Sequence, residues 1–115
     1  MNPLEELRVR VSEFASERDW EQFHSPKNLS MALIVEAAEL VEHFQWMKQG
    51  DSYDLPKDKL DAVGEELADI LVYLIRIADR LDIDLIKAAR NKIKSNEAKY
   101  PVEMVRGSSK KYNEY

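Results

Sequence analysis

The 115 residues of this chain make about one domain, and 44% of them are hydrophobic, an ordinary fraction for a globular protein. The absence of cysteine excludes disulfide frameworks and thiolate metal sites, and a net charge of −5 speaks against polymeric nucleic acid as a partner. No apolar run reaches about 18 residues and the first residues lack a signal-peptide core, so a cytoplasmic protein without a membrane partner is expected.

The hydrophobic periodicity predicts a single all-α domain over residues 1–115, with four helices and no strand. Ser25 and Pro26 suit the N-cap and first helical position of the second helix, and Gly50 fits the stop beyond its end. A tail over about 102–115 is expected to be irregular. The four predicted helices cover residues 4–22, 26–48, 58–81 and 84–99.

The third predicted helix carries apolar residues nearly all round its circumference, which is typical of a helix that is buried on several sides. A chain of this length buries only about two thirds of its unfolded surface. A second subunit is therefore expected to cover the remainder, and a central helix within a monomer is the alternative. The apolar residues are Leu67, Ala68, Ile70, Leu71, Val72, Leu74, Ile75, Ile77 and Ala78.

Two pairs of carboxylates lie within apolar sequence. Glu36 and Glu39 project from one face of the second helix, and Glu66 and Asp69 have the same spacing on the third. Carboxylates beside a core are costly unless they are paired or metal-bound, and no basic residues lie at matching spacing. The pattern favours Mg²⁺, with Mn²⁺ as a second option, because such ions prefer oxygen ligands and bridge to phosphates. The alternative is that the four groups line solvated helix edges.

Aromatic and basic residues lie on faces from which they could contact a nucleotide. The positions in line with the carboxylates are His43 and Trp46 on the second helix and Tyr73 and Arg76 on the third. Aromatic side chains there, joined by Trp20 at the end of the first helix, could stack a base, although core packing is the commoner role. Lys92 and Asn96 share a face of the fourth helix, where they meet either phosphate oxygens or solvent.

Several blocks of the sequence resemble the MazG-type nucleotide pyrophosphohydrolases, and within them the dCTP pyrophosphatase branch. The hallmark of that family is ExxE followed after a gap by ExxD. It matches Glu36, Glu39, Glu66 and Asp69 here. The resemblance covers nearly the whole chain. Its other blocks are residues 17–24, 26–29, 44–46, 65–73, 92–96, 99–101 and the tail over 108–112.

The resemblance implies an all-α bundle completed by oligomerisation as a homotetramer, a dimer of dimers. It implies hydrolysis of dCTP or related (deoxy)nucleoside triphosphates between the α and β phosphates, to a monophosphate and pyrophosphate, as nucleotide-pool house-cleaning. Mg²⁺ would be bound by the four motif carboxylates, and Glu36 or Glu39 would orient the attacking water. The substrate-binding residues that the resemblance implies are Trp20, Trp46, Val72, Tyr73, Lys92 and Asn96.

One position departs from the family pattern. Val11 stands where the vertebrate members of the branch carry a histidine that contacts substrate, so a looser preference across deoxynucleotides is expected. Related activities remain as alternatives, a dimeric dUTPase or a phosphoribosyl-ATP pyrophosphohydrolase, which the blocks at Trp46 and 100–101 fit less well. A noncatalytic helical interaction module, with the third helix as its assembly face, is the alternative from another class.

Overall fold

The computed structural model describes residues 1–109, and within that range the chain forms helices and turns without a strand. The all-α prediction is therefore confirmed. No helix in this range has the length and apolarity needed to span a bilayer. The tail block over 108–112, which was among the blocks that resemble the family, lies mostly outside the described residues. The α-helices are α1 (Pro3–Glu17), α2 (Pro26–Glu42), α3 (Lys57–Arg80), α4 (Leu85–Lys99) and α5 (Val102–Val105), with 3-10 turns at Glu21–Phe23 and Gln49–Tyr53.

The chain divides into two compact units, residues 1–82 and 83–115. In the first unit α3 packs against both α1 and α2. The second unit contains α4 and α5. The expectation of one domain over the whole chain stays a prediction. Among residues 1–109, the buried apolar side chains are Ala15, Leu29, Val63, Ile75 and Ala78, all in the first unit.

The first helix ends at Glu17, five residues before the predicted end at residue 22. Asp19 has a φ of 55°, and the N–H groups of Asp19 and Trp20 donate to the carbonyls of Ser16 and Ala15 at 3.1 and 2.9 Å. These two bonds form a Schellman motif, in which glycine usually occupies the left-handed position. The prediction was wrong because an aspartate occupies that position here and gives no glycine signal.

The second helix begins where predicted and ends earlier. The Oγ atom of Ser25 accepts a hydrogen bond from the N–H of Asn28 at 3.1 Å, which confirms the N-cap. The helix ends at Glu42, and the prediction that it runs to residue 48 with a stop at Gly50 was wrong. Most of the following backbone bonds reach three residues back, as in a 3-10 turn. Trp46 therefore lies beyond the helix and not in line with its carboxylates.

The last two long helices agree with the predictions within one residue at each end. Asp84 caps α4 through an Oδ1 atom that accepts from the N–H of Lys87 at 3.0 Å. The predicted irregular tail is corrected at Val102–Val105, where α5 forms. Pro101 starts this turn because its carbonyl accepts from two backbone N–H groups, at 3.0 and 3.2 Å.

The third helix buries one stripe and exposes another. Ile75 and Ala78 are buried, whereas Leu67 is 51% exposed and Leu71 and Leu74 are also exposed. Leucines with that exposure lose the free energy that burial would supply, about 1.5–3 kcal/mol for a whole side chain. The apolar character of this helix thus exceeds what one chain covers.

Candidate functional site

Three carboxylates from two helices meet in the first unit. Glu36 and Glu39 on α2 and Glu66 on α3 each place one oxygen within 4.8 Å of the others. The Oε2 atoms of Glu36 and Glu66 are buried and have no hydrogen-bond partner among residues 1–109. Buried oxygens without a donor are destabilising, and like charges add to the cost. Three close carboxylates with orphaned oxygens are a donor set that fits a hard divalent cation.

Burial and the closeness of the carboxyl groups also change the proton affinity of this cluster. The pKa of Glu36 rises to about 7, chiefly because burial disfavours the charged carboxylate and then because Glu39 and Glu66 can share its proton. Burial is likewise the main cause that raises the pKa of Glu66. In the absence of a cation, Glu36 therefore holds its proton to a higher pH than an ordinary carboxyl group does.

Two further residues border the carboxylate cluster. The Nε2 atom of His43 lies 4.0 Å from Oε1 of Glu66 and attracts it only when the imidazole is protonated. Asp69, one turn after Glu66, is exposed and is not one of the three carboxylates that converge. It lines a neighbouring cavity instead. Its membership in the metal-ligand set stays a prediction.

A cavity of about 170 Å³ lies between α1, the turn that follows it, and α3. Pockets that bind drug-sized ligands have volumes of about 300–1,000 Å³, so this smaller cavity suits one planar ring and not a whole nucleotide. Trp20 forms part of its wall, held edge-to-face against Phe14 with ring centroids 5.6 Å apart. Tyr73 also lines this cavity. Its pKa is raised by burial and then by the negative charges of Glu36, Asp69 and Glu39.

The cavity brings together three of the six predicted substrate-binding residues, Trp20, Val72 and Tyr73. Val11, the position that departs from the family pattern, lines it as well. Trp46 is 90% exposed and is not part of the cavity wall. The remaining two predicted contacts, Lys92 and Asn96, are exposed on α4 in the second unit, and their roles stay predictions.

Two residues of the cavity wall, His24 and Arg76, belong to a polar network that the sequence interpretation did not identify. Arg76 is 3% exposed, and its Nε atom donates to Nδ1 of His24 at 3.2 Å. Its Nη1 atom donates to Oδ2 of Asp79 at 3.3 Å, and Oδ1 of Asp79 accepts from Nη1 of Arg8 at 3.1 Å. Arg80 donates to the backbone carbonyl of His24 at 3.1 Å.

The sequence contains only a weak signal for this network. His24 and Arg76 lie 52 positions apart, so no local spacing links them. An arginine between two isoleucines, as Arg76 is, indicates a charge near the core that needs partners. The identity of those partners follows only from the packing of the turn after α1 against α3.

A model of the MazG-like family matches residues 31–115. The protein named dCTP pyrophosphatase 1 from Rattus norvegicus is 46% identical over 114 residues, which cover 96% of this chain and 66% of the relative. The Homo sapiens protein of the same name is 45% identical with the same coverage, so this chain spans just under two thirds of the length of both relatives. A crystal structure of a pyrophosphatase from Archaeoglobus fulgidus aligns with a TM-score of 0.82 and 37% identity, over 88% of this chain and 94% of that one.

Proposed function

This chain belongs to the MazG-like family, and from that premise we propose that it hydrolyses (deoxy)nucleoside triphosphates to a monophosphate and pyrophosphate. The observation that carries the proposal is the cluster of Glu36, Glu39 and Glu66, with its orphaned buried oxygens, beside a cavity sized for one ring. Similarity to proteins named dCTP pyrophosphatase supports dCTP or a related dNTP as substrate. The biological role would be removal of unwanted nucleotides from the pool.

Mg²⁺ is the proposed cofactor, with Mn²⁺ as a substitute. Glu36, Glu39 and Glu66 would hold it, with Asp69 as the fourth carboxylate, and the buried Oε2 atoms of Glu36 and Glu66 support this because they have no other partner among residues 1–109. When bound, the ion would neutralise phosphate oxygens and stabilise the charge that develops on the leaving pyrophosphate. A net charge of −5 is then compatible with an anionic nucleotide.

The side chains of this chain have distinct proposed roles in the reaction. The carboxylate of Glu36 or Glu39 orients a water molecule in line with the leaving pyrophosphate. The same carboxylate accepts a proton from that water as the water oxygen bonds to the α-phosphorus and the pyrophosphate leaves. Trp20 and Tyr73 hold the base, since both line the cavity. The further substrate contacts proposed from the family resemblance are Trp46, Val72, Lys92 and Asn96.

We also propose that the chain works as a homotetramer, a dimer of dimers, in the cytoplasm. Apolar side chains that remain exposed on α2 and α3, such as Ile34 and Leu67, support an interface between copies. Light scattering is expected to give the mass of four chains, and a monomer at micromolar concentration would contradict the assembly.

The proposed activity is tested by incubating the purified protein with each dNTP in the presence and absence of Mg²⁺ and separating the products. We expect the monophosphate and pyrophosphate in equal amounts, and only when a divalent cation is present. Release of orthophosphate would mean that a different bond is cleaved. The absence of turnover with every nucleotide would favour a noncatalytic helical module.

A further inference from the structure

The carboxylate cluster has a nitrogen neighbour that the proposed reaction does not use. His43 follows directly after α2, and its backbone angles, φ −68° and ψ −24°, are still helical. It lies four residues beyond Glu39, so its side chain projects from the same face of the helix. Its Nε2 atom lies 4.0 Å from Oε1 of Glu66 on α3. The imidazole therefore borders the carboxylates from the end of α2.

The separation between Nε2 of His43 and Oε1 of Glu66 is too long for a hydrogen bond. In hydrogen bonds of the N–H···O type the heavy atoms lie about 2.7–3.2 Å apart. Among residues 1–109, no other group forms a hydrogen bond with the imidazole of His43. The two side chains are only 22% and 18% exposed, so they meet in a partly enclosed place. A neutral imidazole there has a nitrogen lone pair that no group of the described chain uses.

The same separation is compatible with two ligands of one metal ion. Imidazole nitrogens and carboxylate oxygens bind divalent metals at about 2.0–2.2 Å, so two ligands of one ion can lie up to about 4.2 Å apart. Glu66 also belongs to the cluster with Glu36 and Glu39, and its Oε2 atom is buried without a partner among residues 1–109. One oxygen of Glu66 thus lies near His43, and the other lacks a donor.

We propose that His43 is a further metal ligand, which binds through Nε2 an ion that Glu66 binds through Oε1, and that it makes the site select Mn²⁺ and Co²⁺ over Mg²⁺. The proposal rests on the proposed function, because it requires that the carboxylate cluster holds a cation. Mg²⁺ takes oxygen ligands, whereas an imidazole favours first-row transition ions, with affinities that rise from Mn²⁺ to Co²⁺. Carboxylates alone would discriminate less between these ions.

Pulsed electron paramagnetic resonance of Mn²⁺ bound to the nucleotide-free protein tests the bond itself, since a directly bound imidazole nitrogen modulates the electron spin echo. The chain contains two histidines, so a histidine signal arises from His24 or His43, and nitrogen-15 histidine labelling identifies it as imidazole. We expect the modulation in the wild type and in His24→Gln. It should be lost in His43→Gln and His43→Leu. Circular dichroism checks that the variants are folded.

Metal affinities measured by calorimetry test the selectivity. His43→Leu is expected to weaken the binding of Mn²⁺ by at least about tenfold, the lower end of what changes outside the ligand shell cost at metal sites. The loss should be larger for Co²⁺ and small for Mg²⁺, in the order of their affinity for nitrogen. Glu42→Gln, an exposed change at the preceding residue, is the matched control. It removes a charge without removing a ligand, so it should affect the three ions equally.

The outcomes separate the role of His43 from the proposed reaction. Mn²⁺ bound without a coupled histidine nitrogen, or equal losses for the three ions in folded His43→Leu, would overturn the role of His43 and leave the proposed hydrolysis intact. If no nucleotide is hydrolysed but the nitrogen coupling and the graded losses are found, the reaction fails and His43 remains a ligand. If Mn²⁺ does not bind to the wild type, the role of His43 is refuted.

Discussion

In the first half of α3, the carboxylate of Glu66 lies close to the carboxylates of Glu36 and Glu39. In the second half, the guanidinium of Arg76 donates hydrogen bonds to two partners. Among residues 1–109, the one basic side chain within ion-pair distance of the three carboxylates is His43, at 4.0 Å from Glu66, and it attracts Glu66 only when protonated. Arg76 by contrast donates to both His24 and Asp79. One helix therefore carries a cluster of like-charged carboxylates and, about three turns later, a hydrogen-bonded arginine network in which Asp79 bridges Arg76 and Arg8.

The difference separates two uses of charge near a core. Buried charge that is paired within the protein fixes side chains in place, since Arg76 is held by Asp79 and donates in turn to His24. Buried charge of one sign without a counterion raises proton affinity instead, and it makes a site that an external cation would stabilise. This difference supports the proposal that the chemistry takes place at the carboxylates, while the arginine network holds the neighbouring side chains in position.

The largest effect is expected from Glu39→Gln, which removes a charge from the carboxylate cluster. We expect kcat/KM to fall by at least about 100-fold, because even partners outside the ligand shell cost 10–100-fold in metal sites. Steady-state kinetics with saturating Mg²⁺ measure the loss. Glu42→Gln, an exposed change at the end of the same helix, is the matched control. Full activity of the Glu39 variant would remove the proposed site.

Arg76→Met is expected to destabilise the fold by about 2 kcal/mol, less than the 3–5 kcal/mol for breaking a fully buried pair, because Asp79 keeps Arg8 as a partner. Urea unfolding of the metal-free protein gives the free energy. Arg80→Met, an exposed change in the same helix turn, should stay within about 0.5 kcal/mol of the wild type. Equal stability of the two variants would contradict the view that Arg76 holds the network together.

The carboxylate cluster and the arginine network are also expected to change the free energy of unfolding with pH in opposite directions. Glu36 binds a proton more tightly in the folded state, with a pKa of about 7 against an ordinary value of 4.5. Its stabilising contribution in the metal-free protein is present below about 4.5 and is lost as the pH rises through 7. The pKa of His24 is lowered from 6.5, so its contribution is present above that value and is lost as the pH falls through the folded pKa.

Unfolding free energies measured between pH 5 and 8 test both signs. Glu36→Gln should remove the loss on the alkaline side, and His24→Gln the loss on the acidic side. Added Mg²⁺ should offset the alkaline loss, because the cation binds ionised carboxylates. A Glu36 variant with the same pH dependence as the wild type would contradict the raised pKa.

The smallest effect concerns the turn that places Trp20 at the cavity. Asp19 has a left-handed φ of 55°, where a Cβ costs about 1–2 kcal/mol for residues other than glycine, asparagine and aspartate. Asp19→Gly is therefore expected to be more stable than Asp19→Ala by about 1 kcal/mol. Thermal unfolding should give the opposite order at Glu13, an exposed position within α1. The same order at both positions would contradict the Schellman geometry.

Local sequence patterns predicted the half of the site that depends on helical spacing. Glu36 and Glu39 share a face because they are three residues apart on a helix that the sequence also bounds correctly at Ser25. Trp46 was misplaced because α2 ends early without a glycine or proline signal. The bond between His24 and Arg76 joins residues 52 positions apart and depends on tertiary packing, which no local pattern encodes.

The central claim is that this chain directs water to the α-phosphorus of a nucleoside triphosphate. Hydrolysis of dCTP with Mg²⁺ in water enriched in oxygen-18, followed by mass spectrometry of the products, tests it most directly. We expect the heavy oxygen in dCMP and none in pyrophosphate. Heavy oxygen in pyrophosphate, or in released orthophosphate, would contradict the claim.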